Sequence, residues 1–191
     1  IGGFETLSHA ATTIKSILLN HPAPIHFHIL TDSATKSALN TFFQSWKLPA
    51  VAHSLYEIDN FVNRVSWIPN RHYSQNYGLV KLLLPEILPR NVEKVLLLDS
   101  DVLILKCMTP LLSYLLLLNS TQAFGMAENQ SGWYSTLSPT RRVWPALGRG
   151  FNSGVALVDL KKLRNMEWNM VWRKVAQEYL RTIGMTSLAD Q

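Results

Sequence analysis

Val95-Leu96-Leu97-Leu98 constrains this chain more than any other segment, because an unbroken aliphatic run in a strand is sheltered on both faces only inside a sheet that helices cover. The pattern predicts a central parallel strand, and the run ends in Asp99-Ser100-Asp101. Side chains at i and i+2 of a strand share a side, so Asp99 and Asp101 converge if the extended geometry persists that far. Paired carboxylates at a strand's carboxyl end suit a hard divalent cation such as Mg²⁺ or Mn²⁺. That end of the strands is also where open α/β sheets bind ligands. Asp and Ser are equally ordinary turn residues, so the run by itself reads either as a cation-binding end or as an acidic turn.

The rest of the chain alternates helix and strand patterns. Ser8 to Leu19 carries Ile14, Ile17 and Leu18 on one helical side and stops at His21-Pro22. Ile25 to Leu30 alternates apolar residues with His26 and His28, which are expected to be part exposed or hydrogen-bonded strand residues rather than metal ligands. Thr31-Asp32-Ser33 then supplies an N-cap for a helix bearing Leu39, Phe42, Phe43 and Trp46. A weaker strand at Ala50 to Leu55 follows, then one helix from Ser74 to Leu88, bounded by Pro89. Beyond Pro110 come a short apolar helix, a strand at Ala123 to Glu128, an aromatic and glycine-rich loop over 129–150, and a strand at Ser153 to Leu157. The last helix places Trp168, Val171, Trp172, Val175, Ala176 and Tyr179 on one face, a stripe expected to pack in the core. This order predicts an α/β fold with a mainly parallel central sheet flanked by helices. No linker composition divides 1–191, so it is expected to form a single domain.

Charge and composition exclude several classes. The formal charge of +5 is spread along the chain, with basic pairs only at Arg141-Arg142, Lys161-Lys162 and Arg173-Lys174. That balance suits a phosphorylated substrate as well as nucleic acid, but without a zinc-ligand cluster, a helix-turn-helix pattern or an aromatic RNA-binding signature no nucleic-acid partner is expected. Cys107 is the only cysteine, so no internal disulfide forms. Leu111 to Leu118 falls far short of the ~20 residues that cross a bilayer, and no signal peptide opens the chain. Both ends read as cut, so any membrane anchor is expected to lie outside this segment. Glycosylation sequons stand at Asn119-Ser120-Thr121 and Asn129-Gln130-Ser131.

The motifs, taken together, resemble a known family. Lys94 to Asp101 is similar to the Asp-X-Asp signature of nucleotide-sugar transferases with the GT-A fold, in particular glycosyltransferase family 8. Phe151-Asn152-Ser153-Gly154 resembles that family's Phe-Asn-X-Gly segment, and Asp190-Gln191 the start of its Asp-Gln-Asp run, in the family's order. Within the family, the segments Val65-Ser66-Trp67-Ile68-Pro69-Asn70, Glu128-Asn129-Gln130-Ser131, Trp144 to Gly150 and Ser187 to Gln191 resemble the xylosyltransferase half of the LARGE-type transferases.

The resemblance implies a retaining transferase that moves xylose from UDP-xylose to the glucuronic acid end of a glycan on an α-dystroglycan-type glycoprotein. It implies Mn²⁺ held by Asp99 and Asp101, with Lys81, Asp99, Asp101, Glu128 and Asn152 on the donor and Asp190 and Gln191 facing the reaction centre. It also implies the Golgi lumen and a type II membrane parent. The family's first strand would lie upstream of Ile1 and its third metal ligand, a His, beyond Gln191. Residues 1–191 are therefore expected to be a partial catalytic domain that holds its donor weakly. Other readings stay open: a glucoside xylosyltransferase, a glucosyltransferase of the same family, or a catalytically silent binding module.

Overall fold

A computed structural model describes residues 3–46, 50–72, 74–130 and 150–185. Helix α1 spans Phe4–Asn20 and buries Ile14 and Ile17; it stops where His21, forced out of helical geometry by the following Pro22, adopts extended backbone angles. Strand β1 (Ile25–Thr31) pairs in parallel with β2 (Val51–Glu57), from Ile25 opposite Val51 to Thr31 opposite Glu57. Between them α2 (Ser33–Trp46) crosses over, its first turn capped by Asp32, whose Oδ1 accepts from Thr35 N at 2.7 Å and from the Thr35 hydroxyl. Leu39 and Phe43 of α2 close a core with Ile14 and Ile29. His26 and His28 behave as expected of strand residues: their rings stack at 4.2 Å, His26 bonds the Ser54 hydroxyl at 2.9 Å, and His28 bonds the Tyr56 hydroxyl at 2.8 Å. Burial, and then the neighbouring His26, holds His28 below the ordinary imidazole range.

The helix expected over 74–88 is broken. After α3 (Asp59–Val62), the chain forms α4 (Gln75–Leu79), a 3₁₀ turn at Val80–Leu83, and α5 (Leu84–Ile87). Pro85 explains the break, because it lacks an N–H and its ring crowds the carbonyl one turn back, so an α-helix cannot run through it unaltered. The consequence is functional: Lys81 sits in the tightened turn, not on a straight helix.

Strand β3 (Lys94–Leu98) leads to α6 (Thr109–Leu117), β4 (Phe124–Glu128) and β5 (Phe151–Asp159), and the three strands form a sheet in the order β3-β5-β4 with both ladders antiparallel. The α/β architecture matches the sequence reading, but among the described residues strand direction is mixed and β3 is not a central parallel strand. An aliphatic run reports how well a strand is covered. Its direction relative to its neighbour depends on the route the chain takes before returning as β5. Val95 and Leu97 pack with Leu84, Leu88, Ala156, Val158, Leu160 and Leu163.

Helices α7 (Leu160–Asn165) and α8 (Trp168–Ile183) cover that core. Asp159 caps α7 by accepting from Lys162 N at 2.9 Å. Trp172 is buried and Trp168 donates from Nε1 to Leu82 O at 2.9 Å, which ties α8 to the turn carrying Lys81. Val175, placed by periodicity on the core stripe, is instead 42% exposed, because the face of α8 that packs on the core follows Trp168, Trp172, Ala176 and Leu180 and leaves Val175 beside it. Among the described residues no helix is long and apolar enough to cross a membrane.

Candidate active site

Strand β3 carries the site. Its last ladder pair sets Leu98 opposite Val155, and one residue on Asp99 N donates to Gly154 O at 2.9 Å, so Asp99 emerges beside Gly154 of β5. From the other side, Lys81 Nζ meets Asp99 Oδ1 at 2.8 Å and donates to Ser153 Oγ at 3.3 Å and Ser153 O at 3.5 Å. Gly154 N donates to Asn152 Oδ1 at 2.8 Å, which folds the Asn152 side chain back over its own strand. Lys81, Asp99 and Asn152, which the sequence places far apart, thus meet at one end of the sheet.

Gly154 is what lets them meet. Its φ is unexceptional, so conformational freedom is not the reason; a Cβ there would stand 3.0 Å from Asn152 Oδ1 and 3.3 Å from Asp99 Oδ2. Gly154→Ala is therefore expected to displace one of these two groups and raise the dissociation constant for a uridine diphosphate donor about tenfold, which corresponds to ~1.4 kcal/mol. Titration of the variant with UDP tests it, and an unchanged constant would remove the steric argument.

Asp101 arrives differently from expectation. The strand ends at Leu98 and Ser100–Asp101 form a turn, so the i, i+2 alternation does not extend to them. Helix α1 anchors the turn instead: the Thr13 hydroxyl donates to Ser100 O at 2.8 Å, Ile104 N donates to Ser16 Oγ at 2.9 Å, and Asn20 Nδ2 donates to Ile104 O at 2.9 Å. Thr13 and Ser16 are buried, which explains a polar stripe on an otherwise apolar helix side. Among the described residues the exposed Asp101 carboxylate makes no hydrogen bond or ion pair.

Glu128 ends β4 opposite Phe151, one residue from Asn152, with an exposed side chain. Asp190 and Gln191 lie outside the described residues, as does most of the aromatic loop over 129–150. Sequence reasoning missed Ser153 as a seat for Lys81, the steric role of Gly154, and Thr13 and Ser16. A signal existed for the last pair alone, since hydroxyls three residues apart on a helix side that also carries Ile14 and Ile17 must find buried partners.

The donor set fits a hard divalent cation. One Asp99 oxygen is taken by Lys81 while the other faces Gly154, and Asp101 offers a second carboxylate from the adjoining turn. Carboxylate pairs of this kind hold Mg²⁺ or Mn²⁺ when phosphate oxygens and water complete the shell. Among the described residues no group of three or more His, Cys, Asp and Glu side chains assembles, so such an ion would rely on its substrate for much of its coordination.

The fold is of the GT-A type seen in solved glycosyltransferases. Mouse xyloside xylosyltransferase 1 superposes with a TM-score of 0.76, covering 99% of this chain and 76% of that one at 14% identity. The galactosyltransferase LgtC, solved with donor and acceptor sugar analogues, superposes at 0.57 with 21% identity over 95% of this chain and 68% of its own. The chain belongs to glycosyltransferase family 8, whose model (Glycosyl transferase family 8) matches residues 4–191. Among its curated relatives, LARGE1 of Gallus gallus, a xylosyl- and glucuronyltransferase, is 43% identical over 190 residues, and LARGE2s of Danio rerio is 44% identical over the same length. These alignments cover 99% of this chain and 25% of each relative, so the chain spans about a quarter of the length of the proteins it matches.

Proposed function

We propose that this chain belongs to the xylosyl-transferring domain of a LARGE-type protein, 1–191 forming a single, partial domain, and that this domain moves xylose with retention from UDP-xylose to a terminal glucuronic acid of a glycoprotein glycan of the α-dystroglycan type. The observation that carries the reading is the meeting of Lys81, Asp99 and Asn152 over Gly154 at the end of β3, in a chain 43% identical to LARGE1 over nearly its full length. The same likeness supports a Golgi-lumenal location and a type II membrane parent as parts of this proposal.

The residues divide the work by charge and shape. Departure of UDP leaves negative charge on a diphosphate, and the group that most limits transfer is whatever offsets it. A divalent cation, Mn²⁺ in this reading, held by Asp99 and Asp101, would supply Lewis-acid compensation of that charge. Lys81 adds a unit charge from the neighbouring turn; two unit charges ~4 Å apart interact by about 4 kcal/mol at an effective dielectric of 20. Its contact with Ser153 at 3.3 Å holds the ammonium by a partner other than Asp99, which would leave Asp99 able to serve a cation. The Asn152 amide, already folded over β5, is set to hold a hydroxyl of the donor sugar, and Glu128 lies at the adjacent strand end to meet donor and acceptor. The family resemblance assigns Asp190 and Gln191 a part at the reaction centre.

Calorimetry with UDP tests the proposal, with and without Mn²⁺, followed by a panel of UDP-sugars. UDP is expected to bind at least tenfold tighter with the ion present, and UDP-xylose to be turned over faster than the glucose, galactose or glucuronic acid donors. Equal affinity in both titrations would sink the reading; a preference for UDP-glucose would keep the family and replace the donor.

A further inference from the structure

We propose that Asn119 is an N-glycosylation site whose glycan covers the exposed apolar end of α6. The inference rests on the secretory location in the preceding reading, since sugar reaches such a site only in the lumen.

Asn119-Ser120-Thr121 forms an exposed turn directly after α6. Asn119 Oδ1 accepts three hydrogen bonds, from Thr121 N at 3.0 Å, Thr121 Oγ1 at 2.9 Å and Gln122 N at 3.1 Å. Among the described residues Asn119 Nδ2 donates none, so the amide nitrogen is the side chain's open end. Beneath the turn, Lys162 Nζ donates to Asn119 O at 2.6 Å and Gln122 O at 3.0 Å, which fixes the backbone against α7 without using the Asn119 side chain. A substituent on Nδ2 therefore leaves every contact of the turn intact.

The surface beside it supplies the second observation. Leu116 and Leu117, three and two residues before Asn119, are 79% and 70% exposed, and Tyr114 on the same helix is exposed as well. Large aliphatic side chains this open, in a group, invite association. A branched polar glycan rooted at the end of the same helix would stand over them and oppose it.

The modification balances as a simple group transfer. Asn119 Nδ2 forms a bond to C1 of the first sugar of a polyprenyl-diphosphate-linked oligosaccharide; the C1–O bond to the diphosphate breaks, the diphosphate leaves with the electron pair, and Nδ2 gives up one proton to base. Nothing is oxidised or reduced.

The test uses the full-length protein made in animal cells. Enzymatic glycan release in heavy-oxygen water, followed by peptide mapping, is expected to convert Asn119 to a labelled aspartate in most molecules. Asn119→Gln and Thr121→Ala are each expected to remove one step from the glycan ladder, and Thr121→Ser to retain it. An unlabelled Asn119 peptide in protein that is protease-protected inside microsomes overturns the proposal alone. Protein that is open to protease and bare at every sequon overturns it together with the lumenal location, while Mn²⁺-dependent UDP binding, measured on the same preparation, reports separately on the enzymatic reading.

Discussion

Asp99→Asn is expected to lower sugar transfer by on the order of 10³-fold and to abolish the Mn²⁺-dependent gain in UDP affinity, with little change in stability. The amide keeps the size of the carboxylate and can still face Gly154, so packing over β5 survives. What it loses is charge. Compensation of a leaving diphosphate is worth several kcal/mol, and each ~1.4 kcal/mol is a factor of ten in rate. The stability effect is bounded by the Lys81–Asp99 pair, whose side chains are 18% and 37% exposed. A partly solvated pair contributes about 1 kcal/mol or less, roughly 2–4 °C in melting temperature for a domain of this size. Asp101 makes no hydrogen bond or ion pair among the described residues, so Asp101→Asn is expected to lose cation coupling with no thermal shift at all. Steady-state rates beside melting curves check both variants. Asp99→Asn working at a tenth of the normal rate or better would mean that the acidic turn is only a turn.

The largest effect on folding is expected from Arg164→Met, a loss of roughly 10 °C in melting temperature. The Arg164 guanidinium of α7 donates to the carbonyls of Pro85 at 2.8 Å, Leu88 at 2.9 Å, Pro89 at 3.1 Å, Arg90 at 3.3 Å and Val92 at 2.9 Å. These carbonyls belong to the end of α5 and the link into β3, a stretch with two prolines and few ladder bonds of its own. A hydrogen bond to a charged group contributes ~1.5–3 kcal/mol when alone, but bonds that share one donor group do not add. Removal of the fork leaves several carbonyls without partners, which puts the cost at about 3–4 kcal/mol. Arg164→Lys is expected to recover less than half, because one ammonium cannot reach a fan of carbonyls that a planar fork spans. A Met variant that melts within 2 °C of the parent, at roughly 2–4 °C per kcal/mol, would show that the link is held by packing. The link matters to chemistry because it delivers β3, and with it Asp99, to Gly154.

Part of this protein is legible in its residues one element at a time. Asp32 before a helical run, an aliphatic strand ending in acid, and a Trp-bearing amphipathic helix each follow from local propensity and periodicity, and each is found where those rules put it. Helix boundaries fared worse where two local rules compete. The apolar spacing of 74–88 favours one helix, and Pro85 inside it forbids one, with the outcome a 3₁₀ turn that carries Lys81.

What the sequence determined alone was the chemical inventory: which carboxylates, which cation and which amide were available, and in what order, because motif spacing is a property of the chain itself. Only the tertiary structure decided how they meet. Strand direction in the β3-β5-β4 sheet, the turn that takes Asp101 off the strand's alternation, and the approach of Asp99 and Asn152 over a missing Cβ all depend on contacts between segments far apart in the chain. Local preferences are worth tenths of a kcal/mol per residue, and such long-range packing outweighs them.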